Sequence, residues 1–420
     1  MPPCDALAPE ACGAGKSTPD HPTMARTQPD ETLAGDEAGA APGSAILVAG
    51  NRLTVCTEGP AILRAMLDLI GGARRSLRLL YYIFSPDRSG ETVRDALVAA
   101  CERGVAVSLL IDDFGSDAGS GFFAPLREAG AEVCRFHPSL GRRYLLRNHQ
   151  KLLLADEQTV LIGGFNVEDS YFGTPEEGAW RDLGLLVEGD AASRLAPYFD
   201  ELFAWAGTER ARMRTLRQLI KRYTETEGPL QWQLGGPTRK LSPWGQATCR
   251  DLGRATRLGM IAAYFSPTLG MRRRIGLVAA RGRARVITAA KSDNTTTIAA
   301  ARSTYGRLLR RGAELFEYER TKLHTKLMVL DDVVHVGSAN FDIRSMFLNL
   351  ELMLRVEDPA FAAAAWRYFE GECQDSTEIT REVHTRRASL LNRIKWGMAF
   401  FMVTSMDYTV TRRLNFGVEE

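Results

Sequence analysis

The sequence predicts an α/β protein built from two copies of one unit, each a largely parallel or mixed β-sheet covered by helices. Three observations predict it. The stretch "YYIFSPDRSGETVRDALVAACERGVAVSLLIDD" (81–113) reads as strand, turn, amphipathic helix and strand. Ser85-Pro86 stops a β-rich run, apolar residues recur at helical spacing at Val93, Leu97, Val98 and Cys101, and "VAVSLLI" has the look of a buried strand. The stretch "AAYFSPTLGMRRRIGLVAARGRARVITAA" (262–290) repeats that order, down to the shared "FSP" and the Arg-Gly ahead of the next strand. Matching landmarks also keep a nearly constant offset, 181 residues from Phe84 to Phe265 and 175 from His149 to His324. Nearly equal offsets at separate landmarks mean a duplication, each copy holding βαβ units.

With 420 residues, 45% hydrophobic and 25% charged, the chain has room for two cores. Lys+Arg 53 against Asp+Glu 51 leaves a net charge of +2, weak for a protein that grips long nucleic acid. The seven cysteines (Cys4, Cys12, Cys56, Cys101, Cys134, Cys249, Cys373) are odd in number and lack CxxC spacing. That pattern points to reduced thiols in a cytosolic compartment, and away from a disulfide framework or a zinc site.

Taken in order, residues 1–43 are rich in Ala, Pro, Gly, Asp and Glu and read as a disordered tail without the features of a signal peptide; Met24 is a plausible true start. Residues 44–208 form the first α/β domain. Residues 209–245 follow as a basic linker helix and a turn-rich boundary, "GPLQWQLGGP". In that helix Met213, Leu216, Ile220 and Tyr223 share a face, with Arg210, Arg214, Arg217 and Lys221 on the others. It is either a linker docked on a domain or a basic helix lying on an anionic membrane. Residues 246–372 form the second domain, and 373–420 a C-terminal amphipathic segment. Within it, "RIKWGMAFFMVTSMDYTVTRRL" (393–414) sets an apolar core between cations, with Trp396 placed for a membrane interface, or else packs on the second domain. No apolar run approaches the roughly 20 residues that span a bilayer.

The chemistry is concentrated in "NHQKLLLADEQTVLIGGFN" (148–166) and "LHTKLMVLDDVVHVGSANFD" (323–342). His149 and Lys151 are two apart and project together from a strand, as do His324 and Lys326. Asp156 and Asp331 fall at hairpin corners, suited to accepting turn N–H bonds or pairing with a buried cation. Gly163, Gly164 and Gly337, with Ser338, permit close backbone approach, after which Asn166 and Asn340 reach the site. The second return is one residue shorter. Of six histidines two fall in matching frames, while His21, His137, His335 and His384 have none.

Paired His, Lys and Asn across a domain interface suit phosphoryl chemistry. Lysines and amides stabilise the non-bridging oxygens, one imidazole attacks phosphorus, and the other alternates as acid and base. No metal or cofactor is required. A nucleophilic imidazole needs its second nitrogen held by an acceptor. Candidates follow each motif: Asp182 in "WRDLGLLVEG" after Asn166, and Glu351 in "NLELMLRV" after Asn340.

These residues resemble the phospholipase D superfamily, whose signature is HxKxxxxD followed by a Gly/Ser-rich turn and Asn. The likeness runs from about residue 45 to 370. It implies a duplicated phospholipase D-like fold, two β-sheets flanked by helices and related by a pseudo-twofold axis, with the active site at their junction. "GGFNVEDSYFG", "WRDLGLLVEG" and "GSANFDIRSMFLNLELMLRV" are similar to bacterial cardiolipin synthases. That resemblance implies phosphatidyl transfer between two phosphatidylglycerols, giving cardiolipin and glycerol, with His149 as nucleophile and His324 as general acid/base. Many such synthases begin with two membrane-spanning helices. This sequence resembles the shorter members, expected to be cytoplasmic and peripherally bound to the bacterial inner membrane. Arg142, Arg143 and Arg147 suit anionic headgroups. Alternatives are hydrolysis to phosphatidic acid, transfer to another alcohol such as serine, a nucleic-acid phosphodiesterase, and an inactive membrane scaffold. Nucleic acid is not an expected partner, and the sequence does not reveal the oligomeric state.

Overall fold

A computed structural model describes residues 44–137, 146–209, 211–238, 240–292 and 294–406, so the tail 1–43, Arg142, Arg143 and residues 407–420 lie outside the described residues. The first half contributes β1 (Ile46–Val48), β2 (Asn51–Cys56), β3 (Ser76–Tyr81), β4 (Ala106–Asp112), β5 (Glu132–Phe136), β6 (Leu152–Ala155), β7 (Thr159–Gly163) and β8 (Gly184–Glu188). The second contributes β9 (Leu230–Gly235), β10 (Arg257–Ala262), β11 (Arg283–Ala289), β12 (Glu314–Tyr318), β13 (Lys326–Leu330), β14 (Val333–Gly337), β15 (Glu351–Glu357) and β16 (Ser376–Glu378). The sheet orders are β1-β2-β8-β7-β6-β3-β4-β5 and β16-β12-β11-β10-β13-β14-β15-β9. Read from opposite ends they coincide strand for strand from β2 and β9 onward, leaving β1 and β16 as unmatched edges.

Local sequence explains the repeat. β3 and β4 run parallel because the helix Arg88–Glu102 carries the chain back between them. Asp87 starts that helix by accepting the Gly90 N–H, and Val93, Leu97 and Ala100 form its buried face. Helix Leu269–Arg281 does the same between parallel β10 and β11, with Thr268 as its cap. The antiparallel runs β6-β7-β8 and β13-β14-β15 follow. In the first hairpin Ala155 pairs with Thr159, whereas in the second Leu330 pairs with Val333, which accounts for the shorter return. Asp156, Glu157 and Asp331 hold left-handed φ at these corners.

The two halves share a core. One buried cluster combines Leu80, Leu152 and Ile162 from the first sheet with Leu327, Val336 and Leu352 from the second. The helix Met213–Tyr223 joins this cluster through Met213, Leu216, Leu219 and Ile220, so it is the docked linker of the two readings. The expected 209–245 boundary is corrected at its centre. Its "LQWQLG" is strand β9, all six residues buried, paired along β15. The expected C-terminal segment, 373–420, takes in the last residues of the helix Pro359–Gln374 and then β16, paired with β12. Of the two readings of the C-terminal helix, Trp396 follows packing on the second domain. It faces inward at 7% exposure, packed with Ala299 and Ala300 and stacked on His384, so it is not an interfacial residue.

Candidate active site

Each histidine motif is bridged to a residue just ahead of an interior strand of the other half, β15 or β8. Asn148 bridges Leu350 in parallel fashion, and Arg181 bridges Leu323. The His149 N–H donates to the Leu350 carbonyl at 2.9 Å, and the Leu350 N–H to that of Arg147 at 2.9 Å. In the same way His324 donates to Arg181 at 2.8 Å and Arg181 to Lys322 at 2.8 Å. This reciprocity is what a pseudo-twofold produces.

The bridges decide which carboxylate meets which imidazole. His149 Nδ1 lies 3.0 Å from Glu351 Oε2, and His324 Nδ1 lies 2.6 Å from Asp182 Oδ2. Reading each carboxylate with the motif it follows is therefore overturned: the two pairs are crossed between the halves. The register that puts Asn148 beside Leu350 places His149 beside the next residue, Glu351, and no spacing within one copy encodes that.

Glu351 is fully buried. Burial pushes its carboxyl up, but His149, Lys151 and the Ser338 hydroxyl hold it below its ordinary value. Ser338 Oγ donates at 2.6 Å and Ser345 Oγ at 2.7 Å, completing an ionised acceptor. Around Asp182 the donors differ. It accepts the Leu183 N–H at 2.8 Å, and burial raises its carboxyl to about 6 against the pull of Lys326. Burial drives the His149 imidazole down to about 4, with Glu351 opposing and Lys151 adding to the shift, so its ring is neutral near pH 7.

Lys151 Nζ folds back to the carbonyl of His149 at 2.7 Å, and Lys326 Nζ does the same to that of His324. A spacing of two makes that return possible. An ammonium has three donors, so this one bond does not exhaust Lys151, whereas Lys326 Nζ also stands 2.8 Å from His324 Nδ1. Burial lowers Lys151 to about 7; Glu351 supports its charge and Lys326 opposes it. The two frames thus lie within one electrostatic field, as Lys326 also depresses His149.

The remaining residues brace this arrangement. Asn166 accepts the Ile83 N–H at 3.2 Å and donates to the Tyr171 hydroxyl at 3.0 Å. Asn340 is buried, and its Oδ1 has no hydrogen-bond partner. A Cβ at Gly164 would stand 2.6 Å from Asp182 Oδ1 and 2.9 Å from Lys326 Cδ, so only glycine admits the Lys326–Asp182 approach. A Cβ at Gly163 would collide with the Leu183 carbonyl, and one at Gly337, where φ is +152°, with that of Leu352. Asp156 and Asp331 stay outside the site. Asp156 accepts the N–H groups of Arg74, Arg75 and Ser76, and Asp331 those of Thr256 and Arg257, each tying a hairpin corner to the start of the central strand. Arg147 sits over the Phe114 ring at 3.7 Å.

Several neighbours escaped the sequence reading. The Tyr171 hydroxyl reaches His324 Nε2 at 3.5 Å, and the Trp180 ring meets His324 edge-on at 5.1 Å. Tyr82 stands 5.2 Å from His149. Aligning Gly163 with Gly337 puts Tyr171 opposite Ser345, so the register of the repeat carried a hydroxyl pair as a usable signal. Among the described residues no group of three His, Cys, Asp or Glu side chains is arranged to hold a metal ion.

Comparison with known proteins adds independent findings. Residues 66–203 and 249–372 match the family described as "Cardiolipin synthase, PLD-like domain". Cardiolipin synthase 1 of Bacillus anthracis is 31% identical over 347 residues, covering 79% of this chain and 68% of that protein. Major cardiolipin synthase ClsA of Bacillus subtilis is 30% identical, covering 82% of this chain and 73% of its own length. Among solved structures, phosphatidylserine synthase of Haemophilus influenzae aligns with a TM-score of 0.65 over 86% of this chain and 94% of that one, at 14% identity. That likeness concerns the fold.

Proposed function

We propose, for a chain that belongs to the phospholipase D superfamily in its cardiolipin synthase-like branch, that it is a phosphatidyltransferase making cardiolipin and glycerol from two phosphatidylglycerols. The observation that carries the mechanism is the crossed pairing of His149 with Glu351 and His324 with Asp182. It directs Nε2 of His149 toward the reaction and leaves Nε2 of His324 beside the Tyr171 hydroxyl, 3.5 Å away.

His149, neutral and held by an ionised Glu351, attacks the phosphorus of the first phosphatidylglycerol through Nε2. The bond from phosphorus to the glycerol headgroup oxygen breaks, and the His324 imidazolium protonates that oxygen. The product of this step is a phosphatidyl-His149. A hydroxyl of the second phosphatidylglycerol then gives its proton to neutral His324 and attacks phosphorus, which releases His149 and cardiolipin. Lys151, Lys326, Asn166 and Asn340 stabilise the charge on the non-bridging oxygens. Asp182 supports the imidazolium state of His324. The enzyme works peripherally at the cytoplasmic face of the bacterial inner membrane, a reading supported by free thiols at all five described cysteines.

The test is incubation with phosphatidylglycerol vesicles followed by product analysis. Cardiolipin with equimolar glycerol supports the proposal. Phosphatidic acid as the main product would make the chain a hydrolase, and no turnover in vesicles or micelles would remove the reading.

A further inference from the structure

The C-terminal helix Leu390–Phe401 has two opposed apolar faces. Trp396 and Ala399 face the protein, where they pack with Ala299 and Ala300 of the helix Thr295–Arg310. Leu390, Leu391, Ile394, Met398, Phe401 and Met402 face outward, at 52–79% exposure. At 100° per residue these six fall within an arc of about 120°, opposite the buried face. An apolar stripe this continuous marks an interaction surface rather than scattered exposure.

Charge identifies the partner. Helix Leu269–Arg281 carries four arginines, Thr295–Arg310 carries Arg307 and Arg310 besides an Arg302 already paired with the buried Glu317, and Leu390–Phe401 carries Arg393 and Lys395; none of the three helices itself holds an Asp or Glu. Arg393 and Lys395 lie on either edge of the stripe by helical angle. The Arg272 guanidinium stands 5.0 Å from the Phe400 ring, joining the first helix to the third. Leu269, 63% exposed, opens that first helix. Apolar side chains framed by cations without carboxylates fit an anionic phospholipid surface, which takes the former among its acyl chains and the latter at its phosphates.

We propose that the outward stripe of Leu390–Met402, with its arginine-rich frame, is the surface by which this protein docks on an anionic bilayer. The proposal rests on the reading that the substrate is a phospholipid, and it assigns membrane contact to this helix rather than to Trp396 or the helix Met213–Tyr223.

The experiment compares the full chain with a Leu391→Gln, Ile394→Gln, Met398→Gln variant, all exposed positions. Co-sedimentation uses vesicles of phosphatidylcholine with about one third phosphatidylglycerol, at low and high salt. The variant is expected to bind vesicles at least tenfold more weakly and to lose turnover on them. Its turnover on phosphatidylglycerol in nonionic micelles should stay within twofold of the parent, with an unchanged Tm. Parental binding should weaken with salt. Unaltered vesicle binding by the variant overturns the proposal, as does equal loss of turnover in both media. Conversion of a dimer to a monomer with vesicle binding intact assigns the stripe to a second copy and also overturns it. Failure of the parent to make cardiolipin even in micelles sinks the enzymatic reading alone, because the vesicle measurement is independent of turnover.

Discussion

His149 and Glu351 are 202 residues apart in sequence, yet Nδ1 and Oε2 lie 3.0 Å apart, across the junction of the two halves. The carboxylate fixes the ring's orientation and leaves Nε2 for phosphorus. Glu351→Gln keeps the shape but removes the charge and turns an amide N–H toward buried donors, so kcat should fall by about 10² to 10⁴ in a protein that still folds with a lowered Tm. A loss of less than threefold would show that the pairing is structural.

The two histidines should fail in different ways. His149→Ala should abolish both turnover and covalent labelling by radiolabelled phosphatidylglycerol. His324→Ala should slow turnover by about 10² to 10⁴, and it should recover labelling when the headgroup is an aryl alcohol that leaves without a proton. Rescue of His149→Ala instead would exchange the two roles.

The free enzyme should show a narrow pH profile. Asp182 at about 6 loses the charge that supports the His324 imidazolium as pH falls, and Lys151 at about 7 loses its proton as pH rises. Thus kcat/KM should peak between those values. Lys151→Arg keeps its charge at all working pH and should remove the alkaline limb, and Asp182→Asn the acidic one. Limbs that stay fixed in both variants would assign them to other groups.

Gly164 and Ser338 occupy equivalent places in the repeat but cannot be exchanged. Ser338 donates to Glu351, whereas at Gly164 a Cβ would press on Asp182 and Lys326. Gly164→Ser should lower kcat at least tenfold without unfolding the protein, as measured by activity and thermal melting together.

Asp251 anchors the second half away from the site. Burial raises its carboxyl, but hydrogen bonds with His335 and Arg355 outweigh this and hold it well below the usual carboxylate range. The stability it contributes is present above the unfolded value near 4 and lost as pH falls below it. Asp251→Asn leaves Arg355 with only the exposed Glu357 as counter-charge and weakens the bond to His335, and should cost about 1–3 kcal/mol in denaturant unfolding at pH 7.

The duplication, the βαβ units and both histidine frames were legible because each is a local pattern repeated in register. The crossed carboxylates were visible as residues but not as partners, since their pairing follows from the 148–350 and 181–323 bridges, contacts far apart in sequence. Strand β9 was hidden because "LQWQLG", although it alternates as a strand does, is short and sits among turn formers. Its glutamines are buried by bonding backbone carbonyls, Gln231 to Gly228 and Gln233 to Glu225. Trp396 was ambiguous for a related reason: the pattern reveals two apolar faces on that helix but not which one meets the protein.

The exchange of carboxylates between halves has a consequence for how the chain can be divided. Neither half alone holds a complete set, because the acid that braces each imidazole is lent by the other. Carrying both copies on one chain makes that loan permanent, and it lets one side keep a glycine and an aspartate where the other has a serine and a glutamate.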